Sequence, residues 1–149
     1  MSGLTLTKDV LTDFGYTIKA KEIDLSNQMI GDIDIDVFEE YVEVTKINLS
    51  GNQIEFLDNG TFAQNGKLAE LVLANNKLRS FSADVFGADS GLENLDLSGN
   101  PLESFDVSLT EKLCLQSLNL DNTGVASRIQ IKRVGRCLHA SFAVGNAAT

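Results

Sequence analysis

The stretch LAELVLANNKL at residues 68–78 is followed, 24 residues on, by LENLDLSGNPL at residues 92–102. The same eleven-residue phrase stands upstream as AKEIDLSNQMI (20–30) and VTKINLSGNQI (44–54), and downstream as LQSLNLDNTGV (115–125). The starts are 24, 24, 24 and 23 residues apart. With each unit numbered from its first residue, apolar side chains fill positions 1, 4, 6 and 11: Leu68, Leu71, Leu73 and Leu78 in the third unit, Leu92, Leu95, Leu97 and Leu102 in the fourth. Position 9 is Asn52, Asn76 and Asn100 in the three central units. Position 14 is Ile33, Leu57, Phe81 and Phe105, and position 19 is Phe38, Phe62 and Phe86. A fixed period of this size marks a chain built by stacking one small unit on the next.

Elementary geometry says what each unit does. Two leucines separated by one residue point to the same side of an extended chain, and their neighbours point to the other. Each unit therefore supplies one short strand, and successive strands stack in parallel about 4.8 Å apart. The chain must then turn away while its backbone is still buried. An asparagine offers two donors and an acceptor there, so the position-9 column predicts an asparagine ladder up the coil. Positions 11, 14 and 19 close the far side of the core. No unit buries its own face, so stability is a sum over neighbours.

The pattern resembles the leucine-rich repeat family, whose consensus is LxxLxLxxNxL, and the likeness covers residues 20–125. A 24-residue unit with phenylalanine at position 19 is similar to the subclass found in Toll-like, Slit-like and insect immune extracellular proteins. The resemblance implies a short right-handed α/β-type solenoid, with a concave parallel sheet of about six to seven strands and turns or 3₁₀ segments on the convex side. The domain expectation is one unit, 1–149, with an N-terminal capping coil at 1–19, five repeats at 20–125 and a C-terminal capping segment at 126–149. Departures cluster at the ends, as capping units require. Position 9 is Gln28 in the first repeat and Thr123 in the fifth, and the fourth lacks a phenylalanine at position 19. Near the C-terminus, Phe142 and Val144 are expected as the inward pair of a last strand, with residues 146–149 frayed.

Composition narrows the function. The 149 residues carry a formal net charge of −9 with 43% apolar side chains, enough to fill one core. Residues 1–121 hold all 21 acidic side chains and eight basic ones, net −13, whereas residues 122–149 carry +4 from Arg128, Lys132, Arg133 and Arg136. An acidic body repels phosphate backbones, so nucleic acid is excluded as a first partner. No apolar run approaches the ~20 residues of a membrane span. The opening MSGLTLTKDVLTDFG has neither the basic nor the long apolar region of a signal peptide, although a mature form or fragment of a secreted protein would look the same. His139 is the one histidine, Cys114 and Cys137 are the two cysteines, and no metal, nucleophile or phosphate-loop motif occurs. The expectation is a non-enzymatic module with no cofactor and no metal.

In the resembled family the concave face is a frequent partner site. Its outward columns here are position 3 (Glu22, Lys46, Glu70, Asn94, Ser117) and position 5 (Asp24, Asn48, Val72, Asp96, Asn119). They hold no aromatic and no arginine, the usual anchors of tight interfaces. That favours a protein or peptide with a basic or polar surface. The bland alternative is a solvated sheet face. Cys114 and Cys137 occupy the same position of adjacent coils, so stacking brings their Cα atoms within disulfide range; a C-terminal clamp and two buried thiols both fit. Asn48-Leu-Ser50 and Asn59-Gly-Thr61 are N-glycosylation sequons. Asp32, Asp34 and Asp36 alternate with Ile33 and Ile35, more as exposed flanks than as the start of a calcium site. The leading function is protein recognition through the concave face, with the resemblance implying an extracellular, innate-immune setting. The alternative is a cytoplasmic acidic scaffold or inhibitor of basic proteins. Open strand edges leave room for a monomer or a weak edge-mediated homo-oligomer.

Overall fold

The computed structural model describes residues 3–143. Five three-residue strands form one parallel sheet: β2 (Glu22–Asp24), β4 (Lys46–Asn48), β5 (Glu70–Val72), β6 (Asn94–Asp96) and β7 (Ser117–Asn119), in that spatial order. Their register is the repeat itself, Glu22 opposite Lys46, Lys46 opposite Glu70, Glu70 opposite Asn94, and Asn94 opposite Ser117. The middle residues Ile23, Ile47, Leu71 and Leu95 point into the core with the position-6 leucines Leu25, Leu49, Leu73 and Leu97. Apolar alternation with period two has thus placed positions 3 and 5 on the open face.

The asparagine ladder is present in the three central units. Asn76 Nδ2 donates to Leu49 O and Leu73 O, both at 3.0 Å, and its Oδ1 accepts from Ile54 N–H at 3.1 Å. Asn52 and Asn100 make the equivalent bonds one coil away on either side. Each side chain answers backbone groups of two coils where no water reaches, which is why the position tolerates little else. On the far side, Phe38, Phe62 and Phe86 stack with centroids 5.6 and 5.8 Å apart. The return segments hold little regular structure beyond a 3₁₀ turn, Ala83–Val85, and the short helix α2, Leu109–Lys112.

Position 8 carries a second column that hydrophobic periodicity does not reveal. Asn27, Gly51, Asn75, Gly99 and Asn122 all have φ between 56° and 70°. Asparagine and glycine are the residues that enter this left-handed region at least cost. They alternate for a packing reason: a Cβ on Gly51 would stand 2.0 Å from Asn27 Oδ1, and one on Gly99 2.1 Å from Asn75 Oδ1.

The ends differ from the expected extra coils, and the concave sheet has five strands instead of six to seven. At the N-terminus, β1 (Leu4–Leu6) and the helix α1 (Lys8–Asp13) form the cap. β1 pairs in parallel with β3 (Ile30–Ile33), which follows the asparagine turn of the first repeat, so it lies outside the concave sheet. The early arrival of the first repeat leaves too few residues for a full coil, and Tyr16 takes the sheet edge instead. At the C-terminus, β8 (Ile129–Val134) and β9 (Cys137–Phe142) form an antiparallel hairpin that turns at Gly135, φ 63°. Phe142 is therefore not an inward residue of a stacked strand; it is 55% exposed opposite Ile129, while Ala140 and Leu138 face the core. Val144 and residues 146–149 lie outside the described residues.

Candidate functional site

All ten concave candidates stand on the open face of the five strands, and the structure separates them into two groups by what their side chains already do. In the position-5 column, Asp24 Oδ1 accepts from Ser26 N–H at 3.0 Å and from the Ser26 hydroxyl at 2.7 Å. Asn48 with Ser50 and Asp96 with Ser98 repeat the arrangement, and Asn119 Oδ1 accepts from Asp121 N–H at 2.9 Å. These are side-chain turns that satisfy the backbone as each strand ends. One oxygen of Asp24, Asn48, Asp96 and Asn119 is therefore structural.

The third unit breaks that column. Val72 replaces the acceptor and Ala74 the serine, and Val72 stands half-buried on the open face. It lies in a shallow depression of about 370 Å³ at the C-terminal half of the sheet, among Glu70, Asn94, Asp96, Ser117 and Asn119. Glu70 and Asp96, amide and hydroxyl groups, and the apolar residues Leu71, Val72, Leu95 and Leu118 line it, with no basic residue among them. The N-terminal half is different. Lys46 Nζ approaches Glu70 Oε2 at 3.7 Å, so it partly neutralises Glu70 at the edge of the depression as well as the neighbourhood of Glu22 and Asp24. The Asp24 carboxyl is held below the usual carboxylate range by its two hydrogen bonds from Ser26 and, secondarily, by the Lys46 charge. Ser117 Oγ reaches Asn94 Oδ1 at 2.8 Å, so the rim is already organised.

The other sequence candidates fall elsewhere. Cys114 and Cys137 form a disulfide with Cα atoms 4.7 Å apart. Cys114 is exposed and Cys137 half-buried, so they are not core thiols. Asp32 is on β3, Asp34 N–H donates to Leu6 O, and no three His, Cys, Asp or Glu side chains converge to hold a metal among the described residues. Asn59 sits in an exposed turn of the second repeat, and His139 is exposed opposite Lys132 on the hairpin. No helix is long and apolar enough to cross a membrane among the described residues.

Periodicity alone missed residues that act through capping. Tyr16 and Thr110 close the two ends, and buried Asn65 donates to Phe38 O and Tyr41 O, both at 3.0 Å. The signal for the concave break was available as DLS, NLS, VLA and DLS at corresponding positions, where one triplet loses both polar members.

The parallel sheet, the ladder and the repeat register define a leucine-rich repeat solenoid. The chain belongs to the leucine-rich repeat family, whose model matches residues 18–78, 42–102 and 66–125. Among solved structures it is similar to the crystal structure of the APL1 leucine-rich repeat domain, with a TM-score of 0.69 and 24% identity, a likeness of fold. The superposition covers 80% of this chain and 31% of that one, so the chain spans about a third of the matched chain's length. A search of curated proteins returns no match. Family and fold make the chain a protein-interaction module.

Proposed function

We propose that this module binds a protein or peptide with a basic surface in the C-terminal half of its concave face, outside the cell. One observation carries the reading: the depression around Val72 combines Glu70 and Asp96 with the one break in the side-chain turns, where a half-buried apolar side chain stands on the open face. A lysine or arginine side chain matches this chemistry, its charge meeting the carboxylates and its methylene stem lying on Val72. The oxidised pair Cys114–Cys137 and the resemblance to extracellular receptors favour an oxidising compartment. Residues 1–149 would act as one domain with the concave sheet as its working surface.

A peptide array of lysine- and arginine-rich, neutral and acidic sequences tests the reading. We expect capture of basic peptides, weakening with salt as an exposed electrostatic contact must. The double variant E70Q/D96N should lose about tenfold in affinity, the effect of ~1.4 kcal/mol. Binding that is equal for all three peptide classes, or unchanged in the double variant, would remove the concave face from the function. The cytoplasmic scaffold reading is favoured by the net charge of −13 over residues 1–121. Intact mass after alkylation of protein from its natural source separates the two settings, since free thiols at Cys114 and Cys137 would favour the cytoplasm.

A further inference from the structure

Phe56 is 63% exposed, and its repeat position is polar in the other units, where Asp32, Ser80 and Ser104 stand. Three residues later comes Asn59, the acceptor of the sequon Asn59-Gly60-Thr61. The two share the rim of one shallow depression of about 170 Å³, whose apolar wall is Leu57, Phe81 and Val85. The chain makes a tight turn at residues 58–61. Thr61 N–H donates to Asp58 O at 3.2 Å, the Thr61 hydroxyl donates to the same oxygen at 2.7 Å, and Gly60 takes φ 85° at the third turn position. Asn59 is the second residue of that turn and borders the same depression as Phe56. The Asn59 side chain is exposed and makes no hydrogen bond among the described residues.

The other sequon is built differently. Asn48 is half-buried on the second strand of the concave sheet, and its Oδ1 accepts two bonds from Ser50. A sugar there would stand between Asp24 and Val72, one strand spacing of about 4.8 Å away on either side.

We propose that Asn59 is an N-linked glycan acceptor and that the first N-acetylglucosamine of the glycan lies on the ring of Phe56. The pyranose presents a face of axial C–H groups, which are weakly positive, to the negative face of the aromatic ring. In the transfer the Asn59 side-chain nitrogen attacks the anomeric carbon of a lipid-diphosphate-linked oligosaccharide. The N–C bond forms, the anomeric C–O bond to phosphate breaks, the lipid diphosphate leaves with the bonding pair, and the amide nitrogen gives up one proton. Phe56 then covers its ring with sugar, and the glycan is held on the return side of the second coil, away from the Glu70–Asp96 depression. The proposal rests on the extracellular reading.

The test attaches a secretion signal to the full chain in eukaryotic cells, so that export is imposed and the site itself is interrogated. Intact mass before and after peptide-N-glycosidase should show one glycan, lost in N59Q and retained in N48Q. The glycosylated chain should melt about 3 °C above the deglycosylated one. In F56A the glycan should remain, that difference should vanish, and the deglycosylated form should melt as the wild type does. An empty Asn59, or an undiminished difference in F56A, overturns the proposal. Native export is judged separately, from the thiol state of Cys114 and Cys137 in the natural source, so failure of the site and failure of the setting give different results.

Discussion

At the N-terminal end the outer strand β2 is closed by one side chain: the Tyr16 hydroxyl accepts from Asp24 N–H at 2.8 Å and donates to Asp24 O at 3.1 Å. Helix α1 lays Leu11 over the core and is capped by Thr7, whose hydroxyl accepts from Val10 N–H at 3.2 Å. At the C-terminal end a whole hairpin is brought in from outside the repeat. Thr110 stands where the phenylalanine stack ends, and its hydroxyl accepts from Ala140 N–H at 2.9 Å. Leu138 N–H donates to Leu115 O at 2.8 Å, Arg133 donates to Gln116 O at 3.1 Å, and Arg128 donates to Glu103 O at 3.2 Å. The basic end of the chain is thus partly structural, two of its arginines answering carbonyls that a further coil would have used. The hairpin buries little, with most of β8 exposed, and an isolated two-stranded hairpin is marginal in water. The C-terminal cap depends on its covalent tie to Cys114 at the end of the fourth unit, and the N-terminal cap has no such tie. Redox sensitivity is confined to one end.

Breaking the disulfide should produce the largest effect. Closing a loop of this order contributes about 3 kcal/mol through the unfolded chain, and we expect C114S/C137S to lose about that much in urea titration. Hydrogen exchange should locate the loss: amides of Ile129–Val134 and Cys137–Phe142 lose protection first, while β4 to β6 keep theirs, because repeat stability is a nearest-neighbour sum. Uniform loss along the chain would mean that the coils unfold as one unit and that the two ends are not independent. Opening the other end should cost less. Y16F removes hydrogen bonds at an exposed edge, for a loss of about 1 kcal/mol, with faster exchange at the Asp24 amide. It also frees a strand edge that can pair with another copy. Light scattering across a dilution series should show more association for Y16F than for the wild type, and equal masses would assign Tyr16 to stability alone.

This contrast explains which parts of the molecule were legible in the sequence. The central coils repeat, so Leu71, Asn76 and Phe62 each announce their role through their counterparts 24 residues away. The strands and the open columns of the concave face follow from that arithmetic. The caps have no counterparts. Nothing in the period distinguishes Leu4–Leu6 as a partner of Ile30–Ile33 from a further strand of the sheet, since the same Leu-x-Leu pattern serves both. The strand edge is held by Tyr16, through a single hydroxyl bonded to Asp24 eight residues on. The alternation of Ile129, Ile131 and Arg133 against Phe142, Ala140 and Leu138 was equally compatible with a stacked strand until Gly135 turned the chain back. Within the concave face, periodicity gave the columns but not their commitments. That Asp24, Asn48 and Asp96 are tied to serines two residues on, and that Val72 is not, is a matter of local hydrogen bonding.

The smallest expected effect tests that local bonding at the N-terminal edge, where Asp24 serves twice: its backbone is held by Tyr16 and its carboxylate by Ser26. Both Ser26 bonds favour the ionised carboxylate, and Lys46 adds to them, so the folded-state pKa lies below its ordinary value. A depressed carboxyl stabilises the fold at pH above its unfolded value of about 3.9 and loses that contribution as pH falls through the lower folded value. Asp24 is exposed, so solvent screening keeps the energy small. Carboxyl-carbon NMR should place the wild-type midpoint below the ordinary value. S26A should move it upward by removing the hydroxyl donor, and K46Q should move it less, because the lysine acts only through charge. The urea midpoints of wild type and S26A should then converge as the solution is acidified through the wild-type Asp24 midpoint. A wild-type Asp24 that titrates at the ordinary value, or a larger response to K46Q than to S26A, would show that the serine bond does not hold the carboxylate in solution. The N-terminal edge would then rest on Tyr16 alone.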